Sequence, residues 1–228
     1  MSAMEYTIKA IAHIKSDFPT KFGIPRQAGI VEELEAHIVF EPEYRDPEAL
    51  RGLEGFSHIW LIWQFSQAVR ADWSPTVRPP RLGGNTRMGV FATRSPFRPN
   101  ALGLSCVRLL GIEDSREGKI LRVAGADLMD GTPIFDIKPY IPYADCREEA
   151  SCGFAPDPGE KLAVEFLPEA ESRIPADKRE ALRGVLTNDP RPRYKQDGER
   201  VYAMEFAGLE VKFQVKEKTL RVISAEKK

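Results

Sequence analysis

The chain has 228 residues, 42% hydrophobic and 29% charged, enough to bury a core and too balanced in composition for a fibrous, collagenous or disordered protein. Lysine and arginine total 33 against 34 acids, a formal net charge of −1, so any polyanion site must be local. The longest apolar runs, such as Ile59 to Trp63, stop far short of the roughly 20 residues of a membrane-spanning helix, and the first residues lack a basic start and an apolar stretch, so a soluble, cytoplasmic protein is expected.

From residue 5 to about 143, short apolar segments rich in β-branched and aromatic residues alternate with glycine and proline punctuation. Strands are predicted over Tyr6 to Ile14, Glu35 to Phe40, Ser57 to Phe65 and Arg87 to Thr93, with a short helix over Asp46 to Leu53. A hairpin joins Ala101 to Ile112 with Lys119 to Ala126 around Glu117-Gly118, and Thr132 to Ile137 makes a seventh strand. Strands do not alternate with helical patterns, which disfavours a doubly wound sheet, and closure into a barrel or sandwich removes exposed edges. After Tyr143 the composition turns polar with Pro and Gly through Gly159; a strand over Leu162 to Phe166 follows, then a helix from Pro175 through Leu186 ended at Asn188-Asp189-Pro190. Strands over Val201 to Phe206, Leu209 to Val215 and Thr219 to Ser224 complete the chain. The expected fold is mainly β: a closed, antiparallel-rich β-barrel over residues 1–145, a connector over 146–160 and a small α+β domain over 161–228. About 70 residues is thin for an independent core, so this last unit should dock on the barrel or on a second subunit.

Three cysteines, Cys106, Cys146 and Cys152, form no C-x-x-C pair, and His13, His37 and His58 never fall at H-x-x-x-H spacing, so neither a disulfide framework nor a metal is expected. Charge is uneven along the chain. Residues 70 to 98 hold six arginines, Arg70, Arg78, Arg81, Arg87, Arg94 and Arg98, no lysine and one acid, Asp72. Guanidinium forks match phosphate and stack on bases, so this proline-stiffened stretch reads as phosphate-seeking, though the same arginines also suit a structural loop that meets carboxylates elsewhere.

A second rich stretch runs from Gly125 to Tyr140 and places Asp127, Asp130 and Asp136 within ten residues. Asp130-Gly131 is a turn signal whose glycine permits positive φ. Asp136 and Lys138 lie two apart on a strand and share a face, as a catalytic pair or as an ordinary ion pair would. No G-x-G-x-x-G follows a strand, Gly111 to Gly118-Lys119 fails as a phosphate loop, and no G-x-S-x-G elbow is present.

Several runs in order resemble the tRNA N6-threonylcarbamoyladenosine methyltransferase family: Lys21-Phe22-Gly23-Ile24-Pro25-Arg26-Gln27, Arg78 to Asn85, Met88 to Asn100 and Asp127 to Tyr140, with Asp189-Pro190-Arg191-Pro192-x-Tyr194 resembling the small C-terminal domain of bacterial members. The resemblance implies an S-adenosylmethionine-dependent enzyme built on a β-barrel and working as a homodimer on the anticodon loop of tRNA, without membrane or metal. It implies cofactor contacts at Pro25, Arg26 and Gln27, at Ser66 and Gln67, at Arg94 and Leu104, and at the turn Asp130-Gly131-Thr132. The family often carries histidine where Ser66 stands.

The implied chemistry is methyl transfer to N6 of the modified adenosine, a nitrogen whose lone pair is delocalised, so a base should help. Asp136 is the first candidate base and Asp127 the second, with Lys138 and Arg98 as charge stabilisers and Asn100 as an orienting amide. Arg78, Arg81 and Arg87, with Arg98, are expected to meet phosphates, and Tyr140 or Phe97 to stack on the splayed base. The rival expectation is a non-catalytic RNA- or nucleotide-binding barrel that uses the same arginine stretch as a regulator.

Overall fold

A computed structural model describes residues 4–157, 159–191 and 200–228. Pro192 and Tyr194 of the C-terminal motif, and Pro158 of the expected connector, lie outside the described residues. The N-terminal part contributes eight strands: β1 (Ala12–Lys15), β2 (Glu35–Phe40), β3 (His58–Gln64), β4 (Thr76–Val77), β5 (Met88–Gly89), β6 (Leu102–Ser115), β7 (Gly118–Ala124) and β8 (Pro133–Pro139). Six of them form one antiparallel sheet in the order β1-β2-β7-β6-β3-β8, and β8 pairs back onto β1 through Ala12 with Ile134 and His13 with Pro133, closing the sheet on itself.

The interior follows from the two-residue strand period. On β3, Ile59, Leu61 and Trp63 are buried while His58, Trp60, Ile62 and Gln64 face out. Ala12, Ile14, Ile38, Val107, Leu121 and Ile134 join them to fill a barrel too narrow to hold anything but side chains. Because six strands alternate in direction, the connections 16–34, 65–101 and 125–132 all emerge at the same end. The opposite end carries the tight β6–β7 hairpin and the segment 41–57.

Two predicted strands shrink. Tyr6 to Ile11 is not strand: β2 ends at Phe40 opposite Ala12 and the chain then turns, so Met4, Tyr6 and Ile8 have no neighbour to pair with and stay exposed. Arg87 to Thr93 contributes only Met88–Gly89, in a ladder with Thr76–Val77 separate from the barrel. Prolines at 75 and 79 flank β4 and limit its length. The short helix expected over Asp46 to Leu53 is instead 3-10 turns at Pro47–Leu50 and Leu53–Gly55, the first capped by the Asp46 carboxylate accepting from Glu48 N–H.

Beyond the barrel lie α1 (Pro142–Asp145), β9 (Ala163–Phe166), α2 (Pro168–Arg173), α3 (Arg179–Thr187), β10 (Tyr202–Phe206), β11 (Leu209–Lys216) and β12 (Thr219–Lys227). The four strands order as β10-β11-β12-β9, with β9 parallel to β12. Helix α2 adds to the expected elements, and its start carries the usual signals, Pro168 in the first turn with Glu169 and Glu171.

This unit does not close its core alone. Phe18, Val31 and Leu34 of the 16–34 connection are buried in the same cluster as Leu182, Val185, Phe206, Phe213 and Val222. Asp17 ties the connection down further, its carboxylate pairing with Lys178 at 2.6 Å and its carbonyl accepting from Ala207 N–H at 2.9 Å. Leu182, which is fully buried, is expected on truncation to alanine to cost about 2–5 kcal/mol. Denaturant unfolding followed by far-UV circular dichroism checks it.

Candidate active site

A cleft of about 870 Å3 opens at the barrel end where the three long connections meet. Its floor is built by a close approach of strands. Trp63 on β3 lies directly opposite Gly103 on β6, both on the inward face. A Cβ at 103 would fall 2.3 Å from the indole, so only glycine lets the ring lie flat across β6. From there the indole N–H donates to Ser105 Oγ at 2.9 Å, and Ser105 O–H donates to Asp127 Oδ1 at 2.5 Å. The chain Trp63–Ser105–Asp127 thus carries polar connectivity from the core top into the cleft.

Asp127 is partly buried, and burial pushes its carboxyl above the usual aspartate range. Opposing this are the Ser105 hydroxyl, the backbone N–H groups of Asp127 and Ala28, and the positive charge of Arg94. The cleft walls are otherwise cationic: Lys21, Arg26, Arg94 and Arg98 line it, and Asp127 is the one acid among the described lining residues.

The segment carrying residues 25–27 is locked to the 125–132 connection by glycine contacts. Gly29 N–H donates to Gly125 O at 2.8 Å and Gly125 N–H to Leu34 O at 2.8 Å. Gly125 has φ 77°, and a Cβ there would stand 3.2 Å from Gly29 Cα, so the two backbones meet with no room for a side chain.

Comparison with known proteins matches residues 13–146 to the tRNA-methyltransferase O N-terminal domain and residues 159–228 to the TrmO C-terminal domain. The chain belongs to the tRNA-methyltransferase O family. A tRNA (adenine(37)-N6)-methyltransferase of Escherichia coli (strain K12) is 40% identical over 99% of both chains. A "Probable S-adenosyl-L-methionine-binding protein" of Pyrococcus abyssi is 40% identical over 64% of this chain and 74% of its own. Among solved structures, the crystal structure of TrmO from Pseudomonas aeruginosa superposes with a TM-score of 0.82 at 33% identity, covering 97% of this chain and 98% of that one.

In this tRNA-methyltransferase O member, most residues expected at the cofactor converge. Pro25, Arg26, Gln27, Ser66, Gln67, Arg94, Leu104 and Thr132 all line the cleft, as do Arg98 and Asn100. Arg94 donates to Gln27 Oε1 and Gln27 in turn to Arg26 O, linking the 25–27 segment to the arginine stretch. Arg98 is oriented by donating to Thr93 O at 3.1 Å. Asp130 and Gly131 instead brace the turn from outside the lining: Asp130 Oδ1 accepts from Ser16 N–H, Asp130 N–H donates to Phe18 O, and Gly131 N–H to Ile14 O. Gly131 holds φ 73° in a turn closed by Thr132 N–H donating to Met129 O at 3.1 Å.

Asp136 and Lys138 are not brought to the cleft. They pair with Ile62 and Trp60 on the outward face of the sheet and bond each other at 2.9 Å, both substantially exposed, which is the ordinary ion pair. A bulge beside Ile62 and Trp63 sets this register, and neither Asp136 nor Lys138 is among the described residues that line the cleft. Tyr140 stands behind the wall, its ring packed on Trp60 at 5.8 Å and His58 at 6.2 Å. Arg78, Arg81 and Arg87 lie on or beside the β4–β5 ladder outside the cleft; Arg81 pairs with Asp157 at 3.6 Å and Arg87 donates to Thr76 Oγ1.

Trp63, Ser105 and Lys21 carry no site role in the sequence reading, although Lys21 opens the first family motif and Trp63 ends an apolar run. Ser105 left one faint trace, a hydroxyl at an inward position of the apolar run Leu102 to Val107. Gly103→Ala is expected to displace the indole and destabilise by about 1–3 kcal/mol, with a changed near-UV tryptophan band. Gly111→Ala, where a Cβ meets nothing within 4 Å, serves as the silent control on the same strand.

Proposed function

We propose that this protein transfers a methyl group from S-adenosylmethionine to N6 of a threonylcarbamoyl-modified adenosine next to the anticodon of tRNA. One observation carries the reading: a roomy cleft with cationic walls and a single acid among its described lining residues, lined by most of the residues that the family motifs assign to the donor. Its volume, about 870 Å3, is within the range of small-molecule and cofactor sites. The relatives' names supply the donor and the adenine position. The threonylcarbamoyl group rests on the motif resemblance and on charge, because its carboxylate and the neighbouring phosphates suit Lys21, Arg26, Arg94 and Arg98.

When bound, S-adenosylmethionine supplies an electrophilic methyl on a sulfonium whose leaving group departs as a neutral thioether. Pro25, Arg26 and Gln27, with Ser66, Gln67, Arg94, Leu104 and Thr132, would hold it; Ser66 stands where many family members have histidine. Arg98 and Asn100 orient the acceptor and stabilise charge that develops as N6 loses its proton.

Asp127, and not Asp136, takes that proton, because it is the one acid among the described residues that line the cleft. A carboxylate whose basicity is raised by burial is a stronger proton acceptor near neutral pH than an exposed one. Methyl gained and proton lost balance at N6, and solvent collects the proton from Asp127. Homodimeric assembly and a cytoplasmic location belong to the same reading. Among the described residues no helix is long and apolar enough to cross a membrane.

Labelled methyl incorporation into tRNA with and without the threonylcarbamoyl group tests the reaction; incorporation only into the modified tRNA is expected. Tight tRNA binding with no incorporation would favour the non-catalytic binder. Asp127→Asn is expected to lower kcat by about 100- to 10,000-fold while donor affinity by calorimetry changes little. The wild-type rate should fall as pH drops through a limb above the ordinary aspartate range. Ser105→Ala removes a hydrogen bond that favours the charged carboxylate, so it should move that limb to higher pH.

Stability has the matching sign. A carboxyl raised in the folded state binds protons that the unfolded chain has released, so stability declines as pH rises through the window between the two values. Asp127→Asn should therefore melt no lower than wild type at neutral pH.

A further inference from the structure

Two large aromatic side chains stand in solvent at the mouth of the cleft. Phe91 is 72% exposed and Trp73 is 52% exposed, with ring centroids 6.2 Å apart and planes tilted by 31°. Phe91 also lines the cleft. The backbone holds them together: Trp73 precedes β4, Phe91 follows β5, and Val90 N–H donates to Pro75 O at 2.9 Å between them. Val90 is buried, so it pins the base of the ladder and leaves the neighbouring ring outside. Exposed aromatic surface fixed in this way is kept against a cost in hydration.

The surroundings select what covers it. Arg70 already stacks on Phe97, its guanidinium carbon 4.0 Å from the ring centroid, and Arg78 and Arg87 are exposed on the same ladder. An apolar protein surface would desolvate these guanidinium groups without partners. A single-stranded polynucleotide presents π-faces and phosphates at alternating positions, and so satisfies the rings and the forks together.

We infer that the Trp73–Phe91 rim is a base-stacking platform for unpaired RNA nucleotides that flank the one entering the cleft, with their phosphates on Arg78 and Arg87. This rests on the tRNA reading above and extends it to residues outside the motif-assigned site. The rim holds the loop open beside the cleft, so binding and entry of the target base become successive contacts along one surface.

Filter binding with an anticodon stem-loop RNA tests it. Trp73→Leu and Phe91→Leu are each expected to weaken binding by about 5- to 100-fold, the loss of one base stack. The salt slope should stay unchanged, since no phosphate contact is removed. Phe91→Tyr should bind like wild type, and Arg87→Ala should lower the slope instead. Trp73→Leu should leave S-adenosylmethionine affinity by calorimetry unaltered. Leucine variants that bind the stem-loop as wild type does, while wild type still methylates tRNA, would overturn the platform alone. A change of oligomeric state in the leucine variants by light scattering would overturn it too, marking the rim as a contact between copies. A wild-type protein that binds no stem-loop would overturn the tRNA reading and the platform with it.

Discussion

An even number of antiparallel strands in a ring alternates in direction all the way round, so connections of the same parity must emerge at the same end. In this chain those are the 16–34, 65–101 and 125–132 segments, separated by up to about a hundred residues in sequence. Each brings part of the cleft: Arg26 and Gln27 from the first, Ser66, Arg94 and Arg98 from the second, Asp127 and Thr132 from the third. The barrel core needs no cavity of its own, because the site is assembled above it.

The small α+β unit completes that arrangement from behind. Phe18, Val31 and Leu34 bury themselves in its core, and Gly184 on α3 leaves room for Val31, whose Cγ1 would sit 2.6 Å from a Cβ there. The 16–34 connection is therefore held at both faces, by the C-terminal unit on one and by the Gly29–Gly125 contact on the other. A long connection fixed in this way can present Pro25, Arg26 and Gln27 with the precision of a strand.

Electrostatics in the cleft run against stability in the direction a site requires. One carboxylate, partly buried, is hydrogen-bonded by Ser105 and by the Ala28 backbone, yet remains raised because desolvation outweighs those contacts. Four cationic side chains share the same wall. Elsewhere, opposite charges on the surface settle into ordinary pairs such as Asp136 with Lys138 and Arg221 with Glu165. The contrast between one-to-one ion pairs on the rest of the surface and an excess of cations around one carboxylate in the cleft separates function from scaffold.

Local pattern alone made much of the fold legible. Glu35 to Phe40 alternates apolar side chains and is β2 to the residue, and the β6–β7 hairpin turns beside Glu117-Gly118 as its glycine requires. Long motifs, whose residue types are demanded by backbone geometry or by ligand chemistry, likewise pointed to the segments that build the cleft. What no local pattern contains is orientation. On paper Asp136 ranks ahead of Asp127, and only the register of β8 against β3, with its bulge, turns the first outward while the 125–132 connection turns the second in.

The extent of a strand is likewise set by its neighbour: Ile11 still bonds Ile134 and Glu41 through its backbone, while Tyr6 to Ala10, of the same strand composition, lies past the end of β2. The chain by itself determined its periodicities, its turns and its arginine-rich stretch, because these arise from side-chain chemistry within a few residues. Tertiary structure alone decided which side chains meet over Trp63, because barrel closure and strand register depend on pairings between residues far apart along the chain.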